Sequence, residues 1–233
     1  MLLAFADNIS ESAEPIAQKV MLALRRAIVT MRIKPGEMLS EQEVAKTLGV
    51  SRQPVREAFI KLGEAGLLRV LPQRGTLVVK ISRAAVEDAR FVREALECAV
   101  AREAARLITS PQAAALSNNL ARQRKVSRSQ DAEAFFGLDE EFHRLLAQAA
   151  RRPSAWDVVE DVKPQMDRVR FLSLPDATPL NTLVNQHAAI LEAVKAGNGA
   201  KAVTAMRAHL HEILRSLPQV AKKHPELFED ERG

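Results

Sequence analysis

Between Ser40 and Leu68 the chain reads SEQEVAKTLGVSRQPVREAFIKLGEAGLL, and its apolar positions return at helical intervals in two separate runs. Val44, Ala45 and Leu48 make one apolar face; Val55, Ala58, Phe59 and Leu62 make the next. Residues that start and stop helices bracket both runs. Ser40 with Glu43 three positions on is a capping-box pattern, in which hydroxyl and carboxylate each satisfy a free amide. Gly49 ends that helix, because glycine takes the left-handed conformation of a helix end at little cost. Ser51 caps the second helix, Pro54 is tolerable within its first turn, and Gly66 closes it. The run LLRVL, the turn PQRG and the run TLVVK then predict a β-hairpin with Arg74 and Gly75 at its tip. Two helices around a tight turn, followed by a hairpin, make a winged helix-turn-helix.

Beyond Ser82 the β-branched runs cease and helical patterns follow one another, punctuated by caps. Helices are expected over Ser82 to about Thr109, Ser110 to about Arg128, Asp131 to Ala150, Ser154 to about Leu172, Thr178 to Ala196 and Asn198 to Leu217. Pro164 should start, break or kink a helix, and Leu174 to Pro179, with two prolines, should be a loop. The fold class is therefore mainly α: an N-terminal winged helix-turn-helix with a small β-hairpin wing, then an all-α bundle. The corresponding domains are a flexible arm over 1–15, the winged helix over 16–80, the bundle over 81–217 and a loose tail over 218–233.

Arg52 and Arg56 stand four apart at the start of the second helix, hence on one face. In a helix-turn-helix this end enters the major groove, where a guanidinium grips guanine or clamps phosphate. A short helix pair with surface arginines is by itself only a bundle corner, so the charge distribution matters. Residues 16–80 carry 12 Lys+Arg against 5 Asp+Glu, a balance of +7, while the whole chain carries 34 against 29. The positive charge sits where the helix-turn-helix is, as phosphate contact requires. No run is long and apolar enough to span a membrane, and MLLAFADNIS lacks the features of a signal peptide, so a cytoplasmic location is expected. The single cysteine, Cys98, excludes an intramolecular disulfide and a cysteine-rich zinc site, and it reads as a core filler.

In the bundle, several polar residues fall where the periodicity expects apolar ones. Phe135, Leu138, Phe142 and Leu146 are flanked by Asp139 and His143, which are offset by only about 40° around a helix. His187 lies within the line Val184, Leu191, Val194, and His209 within Met206, Ile213, Leu217; His211 aligns instead with Arg207 and Arg215 on a wet face. Each inward histidine is able to hydrogen-bond privately. One carboxylate and three imidazoles converging on a bundle axis suggest instead a divalent metal ion, zinc first, with nickel, cobalt or manganese as alternatives. Arg93 interrupts the line Val86, Ala89, Leu96, Val100, Leu107. Its guanidinium either pairs with Glu97 one turn on or holds the carboxylate of a small organic acid; Arg168 and Arg170 are further candidates to line such a cavity.

The stretch LSEQEVAKTLGVSRQPVREAFIKLGEAGLLRVLPQRGTLV resembles the DNA-binding domain of the GntR family of bacterial transcription regulators. The resemblance implies that Arg52 and Arg56 are recognition-helix arginines, that Ser51 caps the helix and contacts phosphate, and that Arg74 with Gly75 forms the wing tip. Some members carry arginine where this chain has Gln42. LDEEFHRLLAQAA, NQHAAILEAVKAGN and AMRAHLHEI resemble segments of the FCD ligand-binding domain of the FadR subfamily. That likeness implies an FCD-like bundle with Asp139, His143, His187 and His209 as metal ligands and Arg93 as the effector-binding arginine. It implies a homodimer on double-stranded operator DNA, a repressor relieved by a small acid, with no role for a membrane. The rival function is a metal-dependent enzyme acting on a small carboxylate, though no general base or nucleophile stands at helical spacing from the ligands. An all-helical adaptor without effector is a third.

Overall fold

The structure, a computed structural model, describes residues 15–230. The described residues divide into two compact units, one of residues 15–83 with 224–230 and the other of residues 84–223.

In the first unit the elements are α1 (Ile16–Val29), β1 (Met38–Leu39), α2 (Glu41–Leu48), α3 (Arg52–Glu64), β2 (Leu68–Leu71) and β3 (Gly75–Val78). Ser40 accepts the Glu43 amide at the start of α2, so the serine half of the expected capping box forms. Gly49 ends that helix at φ 65°. Helix α1 packs across α3, and Val20, Leu24, Ile28, Val55, Phe59 and Leu62 make the core. The wing is the expected hairpin, pairing Leu68 with Val78 and Leu71 with Gly75. Its turn closes through the Arg74 amide on the Leu71 carbonyl, 3.0 Å. Gly75 has to be glycine: its φ is +103°, and a Cβ would come within 3.3 Å of the Met38 side chain. That neighbour belongs to β1, a third strand that the sequence pattern does not announce; it pairs antiparallel with β3 and gives the order β1-β3-β2. Two residues are too few to show an alternation.

The second unit is all helical: α4 (Arg83–Leu107), α5 (Ser110–Ser129), α6 (Ala132–Ala149), α7 (Pro153–Val162), α8 (Pro164–Ser173), α9 (Leu180–Lys195), α10 (Gly199–Leu210) and α11 (Glu212–Lys223). The boundaries follow local chemistry. Gln112 caps the Thr109 amide, Asp131 accepts from Ala134 and Asn198 from Lys201, each at about 3 Å. Helix α5 packs on α6 and α9, α9 on α10, and α11 on α8. Leu116, Phe135, Phe142, Leu146, Ile190 and Met206 fill the middle.

The sequence pattern gives six helices here and the structure has eight. The span from Ser154 to Leu172 splits because Pro164, lacking an amide hydrogen, opens a new helix at its first position. The span from Asn198 to Leu217 ends at Leu210, and a separate α11 then runs through Pro218 to Lys223. Burial of Leu217, Val220 and Ala221 carries that helix past the proline's missing hydrogen bond.

The expectation of a loose tail over 218–233 is thereby corrected for its described part. After α11 a short 3₁₀ turn (Pro225–Leu227) leads to a parallel bridge between Phe228 and Ile81. The Ile81 amide donates to Leu227 and the Glu229 amide to Ile81, at 2.9 and 3.0 Å, and Phe228 is buried. The expected flexible arm, 1–15, lies outside the described residues but for its last. No helix of the described residues is long and apolar enough to cross a membrane. Phe228→Ala should lower the unfolding free energy by about 3–5 kcal/mol, the usual cost of deleting a buried phenyl ring; denaturant titration yielding less than about 1 kcal/mol would show that the segment does not hold its place.

Candidate metal centre and nucleic-acid interface

Helix α6 supplies Asp139 and His143, α9 supplies His187 and α10 supplies His209. All four are buried, and one ligand atom from each lies within 4.8 Å of the others. Four positions singled out on three sequence-distant helices thus come together at one point.

The hydrogen bonds around the cluster decide what it presents. Gln123 on α5 donates its amide nitrogen to Asn119 Oδ1 at 2.7 Å and to the Leu138 carbonyl at 3.4 Å. Its oxygen therefore faces His187 Nδ1, 2.7 Å away, and that nitrogen must carry the proton. Gln186 works the same way: its nitrogen donates to Glu212 at 3.0 Å, so its oxygen accepts from His209 Nδ1, also 3.0 Å. His143 Nδ1 abuts the Glu97 carboxylate, an acceptor, close enough for an ion pair though off the hydrogen-bond axis. His187 and His209 consequently turn unprotonated Nε2 atoms inward, and His143 directs its Nε2 at the same point.

Those atoms nearly touch. His143 Nε2 and His209 Nε2 are 3.1 Å apart, and His187 Nε2 and His209 Nε2 are 3.4 Å apart. Asp139 Oδ1 joins them 3.5 Å from His187 Nε2, buried and without a hydrogen-bond partner, while its Oδ2 is held by Arg170. Converging lone pairs and an orphaned carboxylate oxygen repel one another unless a cation lies among them, so the residues fit a metal ion. Neutral imidazole and carboxylate are ligands for zinc and its first-row neighbours. Each ligand also has an outer partner that fixes its orientation, as metal sites require.

Electrostatics agrees. Burial pushes the His187 imidazole down to about 3 and holds His209 well below the ordinary range, so both are neutral near pH 7. Burial would raise the Asp139 carboxyl, but the Arg170 guanidinium beside it is the main opposing influence and keeps it ionised. Phe142 stacks on His187 with ring centres 4.4 Å apart, and Trp156 lies parallel to His143 at 5.9 Å, further restricting the rings.

Arg93 is 2% exposed, as its place in the apolar line requires. Its Nε pairs with Glu97 at 2.5 Å, and its Nη2 is buried without a partner. The pair with Glu97, one of the two sequence readings of this residue, is thus present. Arg93, Asp139, Arg170 and His209 line a cavity of about 40 Å³. Arg168 does not line it; it is fully buried elsewhere, against Gln165. Cys98 is buried, as expected of a core filler.

Sequence reasoning missed the outer partners. Gln123 and Asn119 were legible, since they interrupt the buried line of Leu116 and Leu120 on α5 as the histidines interrupt theirs. Gln186 is only partly buried and Glu97 read as the partner of Arg93 alone.

In the first unit Arg52 and Arg56 lie on the exposed face of the first turns of α3. Arg52 is 3.6 Å from Glu41 of α2, across the turn. Ser51 occupies the N-cap position with extended backbone but makes no capping hydrogen bond, so its hydroxyl is not spent on the helix. Arg74 and Gly75 are exposed at the wing, and Gln42 is exposed on α2.

Comparison with known proteins now bears on both units. Residues 16–78 match the family model "Bacterial regulatory proteins, gntR family", and residues 88–212 match "FCD domain". The HTH-type transcriptional repressor RspR of Escherichia coli K12 is 44% identical over 218 residues, 94% of this chain and 96% of its own. The chain belongs to the GntR family. As a GntR regulator with an FCD domain it is a DNA-binding transcription regulator and not an enzyme, which sets aside the metalloenzyme alternative. Among solved structures, E. coli McbR/YncC shares the fold with a TM-score of 0.78 at 19% identity, covering 91% of this chain and 99% of that one. A GntR regulator from Rhodococcus sp. RHA1 does so with a TM-score of 0.69 at 22% identity, covering 88% and 97%.

The histidine titration has a measurable sign. The folded state holds His187 near 3 against an ordinary 6.5, so between those values the unfolded chain binds the extra proton and folding loses stability as pH falls. In the presence of a chelator, stability should decline below about pH 6.5 by up to about 1.4 kcal/mol per pH unit for each such histidine. Denaturant titrations showing a flat profile from pH 6.5 to 4 would contradict neutral, buried imidazoles.

Proposed function

We propose that this GntR regulator is a homodimeric repressor acting on double-stranded operator DNA in the cytoplasm, its affinity set by a small organic acid bound beside a metal ion. The observation that carries the reading is the inward convergence of three imidazole Nε2 atoms and the orphaned Asp139 oxygen. Asp139, His143, His187 and His209 hold the ion, with zinc the first candidate and nickel, cobalt or manganese the others. The metal supplies a Lewis-acidic site for an acid oxygen. Arg93 supplies a second point through its unpartnered Nη2, on the wall of the same cavity.

On the DNA side, Arg52 and Arg56 read or clamp the major groove, Ser51 gives its uncommitted hydroxyl to phosphate, and Arg74 with Gly75 carries the wing to the backbone. Two copies of the recognition helix match two half-sites, which is why the dimer belongs to this reading. Control requires that the acid meet the DNA-competent and DNA-released states differently. RspR, the 44% identical relative, is named a repressor, which supports the sign of the effect.

Two experiments test the halves separately. Arg52→Ala and Arg56→Ala should each weaken binding to the operator by about 1–3 kcal/mol, roughly fivefold to a hundredfold, by fluorescence anisotropy at fixed salt. Full affinity in both variants would remove the DNA-reading assignment. For the metal, the purified wild-type chain should carry close to one equivalent of divalent ion by elemental mass spectrometry and His187→Ala close to none. Gln123→Ala should bind it with affinity lowered about tenfold to a hundredfold, as for lost outer partners. Equal metal content in wild type and His187→Ala would sink the centre.

A further inference from the structure

On the outer face of α4, Asp88, Phe91, Ala95, Ala99, Arg102 and Arg106 stand three or four residues apart, and all six are exposed. On a helix of 3.6 residues per turn they fall within about 40° of the Ala95 direction, so they form one line along the axis. That line is acidic at its amino end, apolar in the middle and basic at its carboxyl end. Phe91 is 68% exposed, a whole aromatic ring that gains by leaving water.

Beside this line, α4, α10 and the start of α11 form a surface groove of about 630 Å³. Ala95, Cys98, Ala99, Val203 and Leu214 give it apolar walls, and Leu214 is 41% exposed. The charged groups at its rim are mostly spent on one another. Glu94 accepts from Arg90 at 2.6 Å and from Arg207 at 2.9 Å, and lies 2.8 Å from His211 Nε2. Arg102, on the same rim, and Asp88 have no ion-pair partner among the described residues.

A second copy of α4 laid antiparallel, with the two-fold axis passing Ala95, answers each of these features. Positions equidistant from Ala95 then face each other. Asp88 meets the partner's Arg102, and Phe91 meets the partner's Ala99, where the groove lies. Alanine at 95 and 99 lets the two axes approach to about 8 Å. Glu87 and Glu103, which the same operation sets opposite, point about 80° away from the line. Glu103 is moreover held by Arg106 at 2.8 Å. The charge order selects the direction, because a parallel copy in register would set Asp88 on Asp88 and Arg102 on Arg102. We propose that the homodimer, on whose existence this surface rests, forms through α4 packed antiparallel on the partner's α4. Asp88–Arg102 ion pairs close its two ends, and each Phe91 fills the other copy's groove.

Sedimentation velocity of the full-length protein over about 0.1–100 µM tests this surface. The wild type should sediment as a dimer. Asp88→Arg and Arg102→Asp each set like charges against one another at both ends of the interface, so each should raise the dimer dissociation constant at least about tenfold. Asp88→Arg combined with Arg102→Asp puts opposite charges back and should return the constant to within about threefold of wild type. Phe91→Glu, which places a charge in an apolar groove, should raise it about a hundredfold, with circular dichroism verifying the fold. A wild-type constant in Phe91→Glu and in both single charge variants would overturn the surface while leaving the homodimer standing. Single variants that dissociate, with no recovery in the combined one, would overturn the antiparallel register. A wild type that stays monomeric over the whole range would remove the homodimer itself, and the surface with it.

Discussion

The outward contacts of three imidazole rings, hydrogen bonds for two and an ion-pair contact for the third, govern the helical unit. Because Gln123, Gln186 and Glu97 each engage an Nδ1, every Nε2 is forced toward the same point. Bringing two of them to 3.1 and 3.4 Å from the His209 Nε2, beside a buried carboxylate, is unfavourable in a medium of low dielectric. A sequence optimised for stability alone would fill those positions with leucine, as it fills Leu138, Leu146, Leu183 and Leu191 around them. The arrangement makes physical sense as a cation site, and the surrounding packing serves to hold it.

That packing explains why long-separated segments must meet. Gln123 sits on α5, and its own orientation depends on Asn119 one turn earlier and on the Leu138 carbonyl of α6. Gln186 depends on Glu212 at the start of α11. The break between α10 and α11 therefore does more than interrupt a helix: it lets Glu212 face Gln186 while His209, three residues earlier, faces the cluster. The first unit is built on simpler terms, through helix ends. Ser40, Gly49 and the wing turn at Gly75 fix where α2, α3 and the hairpin begin and end, and the exposed arginines are placed by those boundaries.

The parts of this architecture that were legible in the sequence are those written in single residues at fixed spacing. Asp139, His143, His187 and His209 stood out because polar atoms in an apolar line have to be explained, and they converge as that reasoning requires. The same rule applied to α5 would have found Asn119 and Gln123, whose amides attract less notice than imidazoles. Gln186 offered no such signal, since its position is decided by Glu212 on another helix. Strand β1 is too short to show a period, and it exists because Gly75 leaves room for Met38. The segment after Leu217 was misread for a different reason. Pro218 reads locally as a stop, whereas burial of Val220, Ala221 and Phe228 is a tertiary effect that overrides it.

Glu97 joins the two halves of the helical site. One carboxylate oxygen pairs with Arg93 Nε at 2.5 Å and the other abuts His143 Nδ1, and the residue is only 4% exposed. Burial would raise its carboxyl, but Arg93 and His143 more than compensate and hold it ionised. Withdrawing Arg93 would leave a buried charge uncompensated, a change that costs about 3–5 kcal/mol in comparable pairs. Arg93 is therefore not free to swing toward an incoming anion while Nε stays on Glu97. A guanidinium so restrained keeps its buried, unpartnered Nη2 hydrogens fixed in direction. The same restraint ties the orientation of His143 to that of Arg93, so the metal ligand and the anion-facing group share one buried counter-ion.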